Sequence, residues 1–293
     1  MLPSIDLAFV GLGLHEQLVA YTADQLDHFS AEGVHVAVRD GRRWPIERLR
    51  QGAVVGLGRT QVSRLRDGVP WTIACVNTDR PMFWLVAAPG HGAVSDLRHC
   101  RIGLHSPASA PGLWTRIVLR RHGLDPDRDI TAVVIPAGDY RPHLRMLRDG
   151  ELDAAVIGST VDPHQTAAEE GLEVLAFFGD EIRIPTTGVA LDPTIVDPDS
   201  EAVRGLVAGH RRALRALVDE PDVAIELVAG LIPSLSAGDA AKLYERYIRP
   251  HFFPDGLADR AIVEQGLSAL ARELGGVELP DVDVLYRGSV RSA

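Results

Sequence analysis

A turn of mainly small residues at positions 105–110, with the sequence His-Ser-Pro-Ala-Ser-Ala, has the composition of an anion-binding site. A short apolar strand leads into this turn, and a helix with an apolar side follows it. Ser106 is a preferred N-cap residue and Pro107 suits the first helical position, so backbone N–H groups would face whatever lies in front of the turn. Helix N-termini attract anions, so the turn is predicted to hold one. The alternative is that these residues only start the helix.

Four other side chains could contribute chemistry. His105 immediately precedes the turn, and an imidazole with a suitable pKa transfers protons. His15 and Glu16 follow the first strand and could serve the same purpose, while Arg59 could bind a carboxylate. The alternative is a solvent-facing helix start for His15 and Glu16 and a surface ion pair for Arg59.

Composition excludes several classes of protein. The chain has 293 residues, 46% of them hydrophobic, which is enough for one large domain or two small ones. Its formal charge of -10 argues against nucleic acid or an anionic membrane surface as the partner. No segment approaches the roughly 20 apolar residues of a membrane-spanning helix. We therefore expect a soluble protein with no membrane insertion.

The sequence predicts no metal site and no cofactor. Cys75 and Cys100 lie in apolar strand-like runs, and neither a disulfide framework nor metal-ligand spacing is present. The Gly11-Leu12-Gly13 turn lacks the third glycine of a dinucleotide fingerprint. The N-terminus, as written, has no export signal, so a cytoplasmic location is expected unless the start has been trimmed.

The elements that would position these residues read as two similar α/β lobes. Ile5 to Val10 is a predicted strand, followed by a helix and a second strand, which is a βαβ opening with a parallel sheet. A strand over residues 53–58 is predicted to lead into a loop that holds Arg59 and Thr60, with a short helix after it. The first lobe is predicted to end after a buried strand at 82–88. Strand and helix then alternate again from residue 101, and from about residue 199 the sequence becomes helical.

A set of motifs along the chain resembles one family. The motifs are EGV-x-V after the first helix, IGLHSPAS, GLDPDRDI, LRDGELDAAVIGS and EPDVAIELV. Together they are similar to the substrate-binding proteins of nitrate-, sulfonate- and taurine-type ABC transporters, which share the type 2 periplasmic-binding fold with a thiamine-pyrimidine synthase. The resemblance covers about Ile5 to Leu274 and is strongest from Leu97 to Ile232.

The resemblance implies a two-lobed type 2 periplasmic-binding-protein-like fold with a helical C-terminal part. Residues 1–88 and 190–293 would form lobe one, residues 89–189 would form lobe two, and a ligand would lie in the cleft between them. The family's cleft positions, together with one tryptophan a turn into the helix after the anion-binding turn, fall here on Gly11, Leu12, Gly13, Arg59, Thr60, Ser106, Ser109, Ala110, Trp114, Ser159 and Thr160.

Two functions remain open on this fold. The first is binding of a small carboxylate or sulfonate with no chemistry, as in the transporter proteins. The second is a cytoplasmic enzyme, such as an aromatic-acid decarboxylase or related lyase. It would use His105, His15 or Glu16 as the proton donor and Arg59 to bind the carboxylate of the substrate. An aromatic sulfinate desulfinase shares this fold, but its chemistry needs a cysteine in the first-strand loop, and residues 11–15 contain none.

Overall fold

Apolar strands form two five-stranded sheets, and helices cover both. A computed structural model describes residues 2–11, 13–134, 141–232 and 235–291. The strands are β1 (Ser4–Phe9), β2 (His35–Asp40), β3 (Ala53–Val55), β4 (Thr72–Thr78), β5 (Phe83–Ala87), β6 (Arg101–Leu104), β7 (Thr131–Val134), β8 (Ala154–Gly158), β9 (Glu173–Phe177) and β10 (Thr187–Leu191). The helices are α1 (Leu14–Gln25), α2 (His28–Ala31), α3 (Ile46–Leu49), α4 (Leu57–Asp67), α5 (Ala110–Arg121), α6 (Arg141–Arg148), α7 (Pro163–Glu170), α8 (Phe178–Glu181), α9 (Glu201–Asp219), α10 (Pro221–Leu231), α11 (Ala237–Leu243), α12 (Arg260–Glu273) and α13 (Val282–Leu285), with a 3-10 turn at Val94–Leu97 and a π turn at Tyr244–Ile248. The two-lobed α/β fold is confirmed.

The first sheet has the strand order β2-β1-β3-β10-β4. β1 runs parallel to both β2 and β3, which is the parallel opening that the sequence predicts. β10 returns to this sheet between β3 and β4 and is antiparallel to both. Its Val189 and Ala190 are fully buried, as are Val54 and Ile73 on the neighbouring strands. The first sheet is therefore built from two separate parts of the chain, residues 4–78 and residues 187–191.

The second sheet has the order β7-β6-β8-β5-β9, and it includes a strand that was expected in lobe one. The expected first lobe, residues 1–88, includes β5, but β5 pairs with β8 and β9. Its five residues are all buried because it lies between two neighbours with both faces covered. The sequence of such an apolar run does not indicate which sheet the strand joins. The chain therefore crosses from the first sheet to the second at 79–82. It returns to the first sheet before β10, which begins at Thr187, whereas the predicted lobe boundary is residue 190.

The two crossings are bonded to each other. Asp79 is almost fully buried, and its carboxylate binds the Arg183 guanidinium through two contacts, one of them 2.8 Å from Nε to Oδ1. The Ile184 N–H donates to the Asp79 carbonyl at 2.8 Å, and the Thr186 N–H donates to the Thr78 carbonyl at 3.1 Å. These contacts fix the two connecting segments side by side between the lobes.

The C-terminal helices contact both lobes. α9 has buried apolar positions at helical spacing, including Leu206, Leu214 and Leu217, and packs on α1 and α2. α12 packs against α5, where Glu273 accepts from Arg116 Nε at 2.9 Å. The helical part predicted from the sequence is present, and it links the first lobe to the helix that follows the 105–110 turn.

Two helices next to the cleft begin at residues other than those predicted. Arg59 and Thr60 lie in the first turn of α4, not in a loop, because β3 ends at Val55 and Gly56 turns the chain with a φ of 113°. α5 begins at Ala110 and its N-cap is Ser109, whose Oγ accepts from the Gly112 N–H at 3.3 Å. The predicted N-cap at Ser106 was wrong, since Pro107 and Ala108 belong to a preceding turn.

The position of this cap predicts the effect of two matched substitutions. Ser109→Ala removes the capping oxygen of α5 and is expected to lower the free energy of unfolding by about 1 kcal/mol. Ser106→Ala removes only a hydroxyl 3.4 Å from the Ala108 N–H and is expected to cost clearly less. Urea denaturation of both variants measures the difference. A larger loss for Ser106→Ala would place the cap at the residue that the sequence favours.

Candidate functional site

A cavity of about 740 Å³ lies between the two lobes. Lobe one contributes the loop after β1, the start of α1 and one face of α4. Lobe two contributes the 105–110 turn, the start of α5, β5 and the end of β8. The lining residues are Val10, Gly11, Gly13, His15, Glu16, Arg42, Ile46, Gly58, Arg59, Val62, Ser63, Arg66, Asp67, Val69, Phe83, His105, Ser106, Ala108, Ser109, Ala110, Pro111, Trp114, Gly158 and Ser159.

Most of the site residues named from the sequence meet at this cavity. The lining includes Gly11, Gly13, His15, Glu16, Arg59, His105, Ser106, Ser109, Ala110, Trp114 and Ser159. Thr60 and Thr160 are described by the structure but do not line it. Thr60 is buried, and its hydroxyl donates to the Leu57 carbonyl at 2.9 Å, within α4. Leu12, the remaining predicted residue, lies outside the described residues.

His15 and Ser159 join the two lobes inside the cavity. His15 Nδ1 lies 2.8 Å from Ser159 Oγ, and burial lowers the pKa of His15 to about 3. A Cβ on Gly13 would lie 2.5 Å from His15 Cε1 and 3.0 Å from Ser159 Oγ. Only glycine fits at position 13 without displacing this contact. At neutral pH the imidazole is uncharged.

Phe83 provides an aromatic wall that the sequence did not indicate. Its ring meets His15 edge-on at 6.0 Å and His105 edge-on at 5.6 Å between centroids, and Trp114 at 5.6 Å. Burial, with a smaller contribution from His143, lowers the pKa of His105 to about 4. Phe83 lies in a fully buried strand that was expected in lobe one, and no local signal in the sequence distinguishes it from a core residue.

Glu16 is a buried acid at the first-lobe side of the cavity. Burial raises the pKa of its carboxyl to about 8, and this outweighs the backbone N–H groups of Gly11 and Val10 and the charge of Arg59, all of which favour the ionised form. Among the described residues, no group bonds to its Oε2, which is buried. Glu16 is therefore a neutral carboxylic acid at pH 7.

Arg59 is the cation of the cavity that lacks an acidic partner. Its Nη2 donates to the Trp44 carbonyl at 3.2 Å, and within the described chain no carboxylate lies within ion-pair distance of it. Arg66 is bound bidentately by Asp67, with both contacts at 2.8 Å. Arg42 is bound by Asp40 in the same way. The positive charge open to a ligand is that of Arg59.

The 105–110 turn offers fewer free N–H groups than expected. The Ser109 N–H donates to the Ser106 carbonyl at 2.9 Å, and the Gly112 N–H donates to Ser109 Oγ. Pro111, in the first turn of α5, has no N–H. Arg66 Nη1 also reaches across the cleft to the Ala108 carbonyl at 3.2 Å. The turn lines the cavity, and part of its backbone is occupied by its own hydrogen bonds.

One signal in the sequence could have identified more of the lining. Arg59, Val62, Ser63 and Arg66 are spaced i, i+3, i+4 and i+7, so they share one face of α4. Treating Arg59 as a loop residue hid this face. The structure gives no candidate metal site among the residues that it describes. No helix in the same residues is long and apolar enough to span a bilayer.

Comparison with known proteins agrees with this architecture. The NMT1-like family model matches residues 76–232, more than half of the chain. No curated protein matches it significantly. The periplasmic aliphatic sulphonate binding protein SsuA from Escherichia coli superimposes with a TM-score of 0.71 at 17% identity, covering 97% of this chain and 91% of that one.

Two further structures show the range of proteins with this fold. The periplasmic nitrate-binding protein NrtA from Synechocystis PCC 6803 has a TM-score of 0.63 at 14% identity, over 83% of this chain and 70% of that one. The desulfurization enzyme DSZB has a TM-score of 0.67 at 14% identity, over 95% and 94%. The resemblance to substrate-binding proteins is confirmed, and at these identities it establishes the fold.

The buried acid predicts a pH-dependent stability. In the unfolded chain Glu16 ionises near its ordinary pKa of 4.5, but in the folded protein it stays neutral to about 8. The folded state then binds more protons, so between these values stability falls as pH rises, by up to about 1.4 kcal/mol per unit. Glu16→Gln removes this loss, so its free energy of unfolding relative to wild type should be higher at pH 8 than at pH 5.

Urea denaturation at the two pH values measures this difference. Glu47→Gln, an exposed acid on α3, is the matched control and should show the same difference from wild type at both. An equal effect of Glu16→Gln at pH 5 and pH 8 would mean that Glu16 is ionised in the folded protein.

Proposed function

The chain belongs to the NMT1-like family, and from the geometry of its cleft we propose that it binds a small organic anion, a carboxylate or a sulfonate, between its lobes without transforming it. The observation that carries this proposal is the environment of Arg59 in the cavity. Its guanidinium lines the cavity, is half-buried, and has no acidic partner among the described residues. A bound anion would supply the missing counter-charge through charge-assisted hydrogen bonds.

The remainder of the lining favours an organic ligand over a bare inorganic ion. A cavity of about 740 Å³ falls within the roughly 300–1,000 Å³ range of small-molecule sites. The lining also has an apolar and aromatic part, which includes Val62, Val69, Phe83 and Trp114. A ligand with one anionic group and an apolar body matches both parts of this surface.

The ionisation of the cleft histidines favours binding over catalysis. His105, with a pKa of about 4, lacks at neutral pH the imidazolium proton that a general acid would donate. His15, with a pKa of about 3, is too weak a base to activate the Ser159 hydroxyl that it contacts. The two histidines assigned to an enzyme from the sequence are therefore poorly suited to proton transfer.

The printed functions of two neighbours point in the same direction. SsuA is described as binding aliphatic sulphonates and NrtA as binding nitrate, so both bind anions on this fold. DSZB, described as a desulfurization enzyme, shows that the fold also supports chemistry. The lyase alternative is therefore retained as an outcome of the experiments rather than as a second proposal.

The proposal predicts a specific loss in one arginine variant. Arg59→Gln removes a charge-assisted contact and should weaken anion binding by about 1.5 to 3 kcal/mol, which is a factor of roughly 10 to 150. The probes are benzoate and benzenesulfonate, each paired with its neutral amide, and the measurement is isothermal titration calorimetry. The amides should bind wild type far more weakly than the acids.

A second arginine on the same helix provides the control. Arg64 lies on α4 outside the described lining, so Arg64→Gln makes the same change of charge and should leave the affinity within about twofold. Equal binding of acid and amide, or equal losses in the two variants, would contradict an anion site at Arg59. Mass spectrometry of each bound acid after hours with wild type tests the lyase alternative, which requires a product.

A further inference from the structure

We propose that Glu16 is a specificity-determining residue of the cleft and that, as a neutral carboxylic acid, it donates a hydrogen bond to the bound anion opposite Arg59. This inference rests on the proposed function, because it assigns one further contact to the same ligand. It implies that the cleft selects anionic groups that carry no proton of their own, such as sulfonates and carboxylates, and that a proton is held in the complex.

Two glycines leave room for the Glu16 side chain. A Cβ added to Gly11 would lie 2.6 Å from Glu16 Oε2, and one added to Gly56 would lie 3.2 Å from Oε1. Gly56 also has a φ of 113°, which disfavours any other residue. The end of β1 and the start of α4 thus leave a space that the Glu16 carboxyl fills at the cavity wall.

A helix-capping role alone does not account for this carboxyl. Glu16 is the third residue of α1, where a glutamate often reaches back to the N-cap N–H. Here it reaches beyond the Gly13 N-cap towards the backbone of Val10 and Gly11. Within the described residues its Oε2 is shielded from solvent and has no partner, so the backbone contacts do not satisfy the whole carboxyl group.

The charged and titratable groups around Glu16 leave it next to a cation that it does not neutralise. Arg59 on α4 favours its ionised form, but no ion pair forms between them. His15, on the same helix, and His105, across the cleft, are both neutral at pH 7. The other charged lining residues are Arg42, Arg66 and Asp67, and each is held in an ion pair.

An anion between Glu16 and Arg59 would receive two donors of different kinds. The guanidinium contributes charge and the carboxylic acid contributes an O–H. If Glu16 were ionised, its carboxylate would repel the anion and have no hydrogen to donate. Anion binding is therefore linked to a proton: above a pH of about 8 the protein must take one up to bind.

Calorimetry of benzenesulfonate at pH 7 to 9.5 tests this linkage, because this ligand does not titrate there. For wild type, the dissociation constant should be flat below pH 8 and rise by up to about tenfold per unit above it. Runs at pH 9 in buffers of different ionisation enthalpy should report uptake of nearly one proton. Glu16→Gln, which keeps a donor but cannot titrate, should show a flat profile and no uptake, and Glu47→Gln should match wild type.

The outcomes separate this inference from the proposed function. Benzenesulfonate that binds wild type through Arg59 with no proton uptake at pH 9 leaves the anion site standing and overturns the role of Glu16. Binding of benzylamine, a cation of similar size, that Glu16→Gln abolishes would show instead that Glu16 acts as a carboxylate. Absence of any binding of the acids contradicts the proposed function itself.

If none of the acids binds, a measurement on the ligand-free protein still tests the role of Glu16. Nuclear magnetic resonance titration of glutamate labelled with carbon-13 at the carboxyl, with Glu16→Gln for assignment, follows the ionisation of Glu16 directly. A midpoint near 8 that moves upward with excess benzenesulfonate supports the donor role. A midpoint near the ordinary value of 4.5, or one near 8 that the anion leaves unchanged, overturns it.

Discussion

Desolvation of ionisable groups determines the chemistry of the cleft. Burial keeps Glu16 protonated and keeps His15 and His105 unprotonated, so three titratable side chains are neutral at pH 7. A guanidinium keeps its proton even when partly buried, and Arg59 therefore stays charged. The positive charge of the cleft follows from this difference between side chains. It does not follow from composition, because the chain as a whole carries a formal charge of -10.

The fold buries these groups because the two lobes meet at glycine residues, which have no side chain. Gly13 accommodates the contact between His15 and Ser159, and a Cβ on Gly58 would lie 2.7 Å from the Trp114 ring. Each contact joins a helix start in one lobe to an element of the other. The paired crossings, held by Asp79 and Arg183, keep these surfaces facing one another. Side chains of lobe two therefore approach the backbone of lobe one closely at the cleft wall.

Sequence reasoning recovered the architecture better than the boundaries. Alternating apolar runs predicted both lobes, since periodicity reports burial directly. The same runs could not assign β5 to a sheet, because a strand buried on both faces looks alike in either lobe. The N-cap of α5 was misplaced because Ser106 and Ser109 are chemically equal, and only the turn at 107–108 decides between them. Arg59 was found as a residue, but Phe83 needed the tertiary fold.

Glu16 and Arg59 line the same cavity without forming an ion pair, and the proposed recognition site depends on this. Had the two formed a buried salt bridge, each would have satisfied the other, and the cavity wall would present no charge. The glycines at 11 and 56 instead hold the carboxyl back in a space of its own, where losing its proton is unfavourable. Among the described residues the cation is thus left without a counter-charge in the cavity, an arrangement that costs stability in the empty protein and, under the proposed function, becomes favourable when an anion enters.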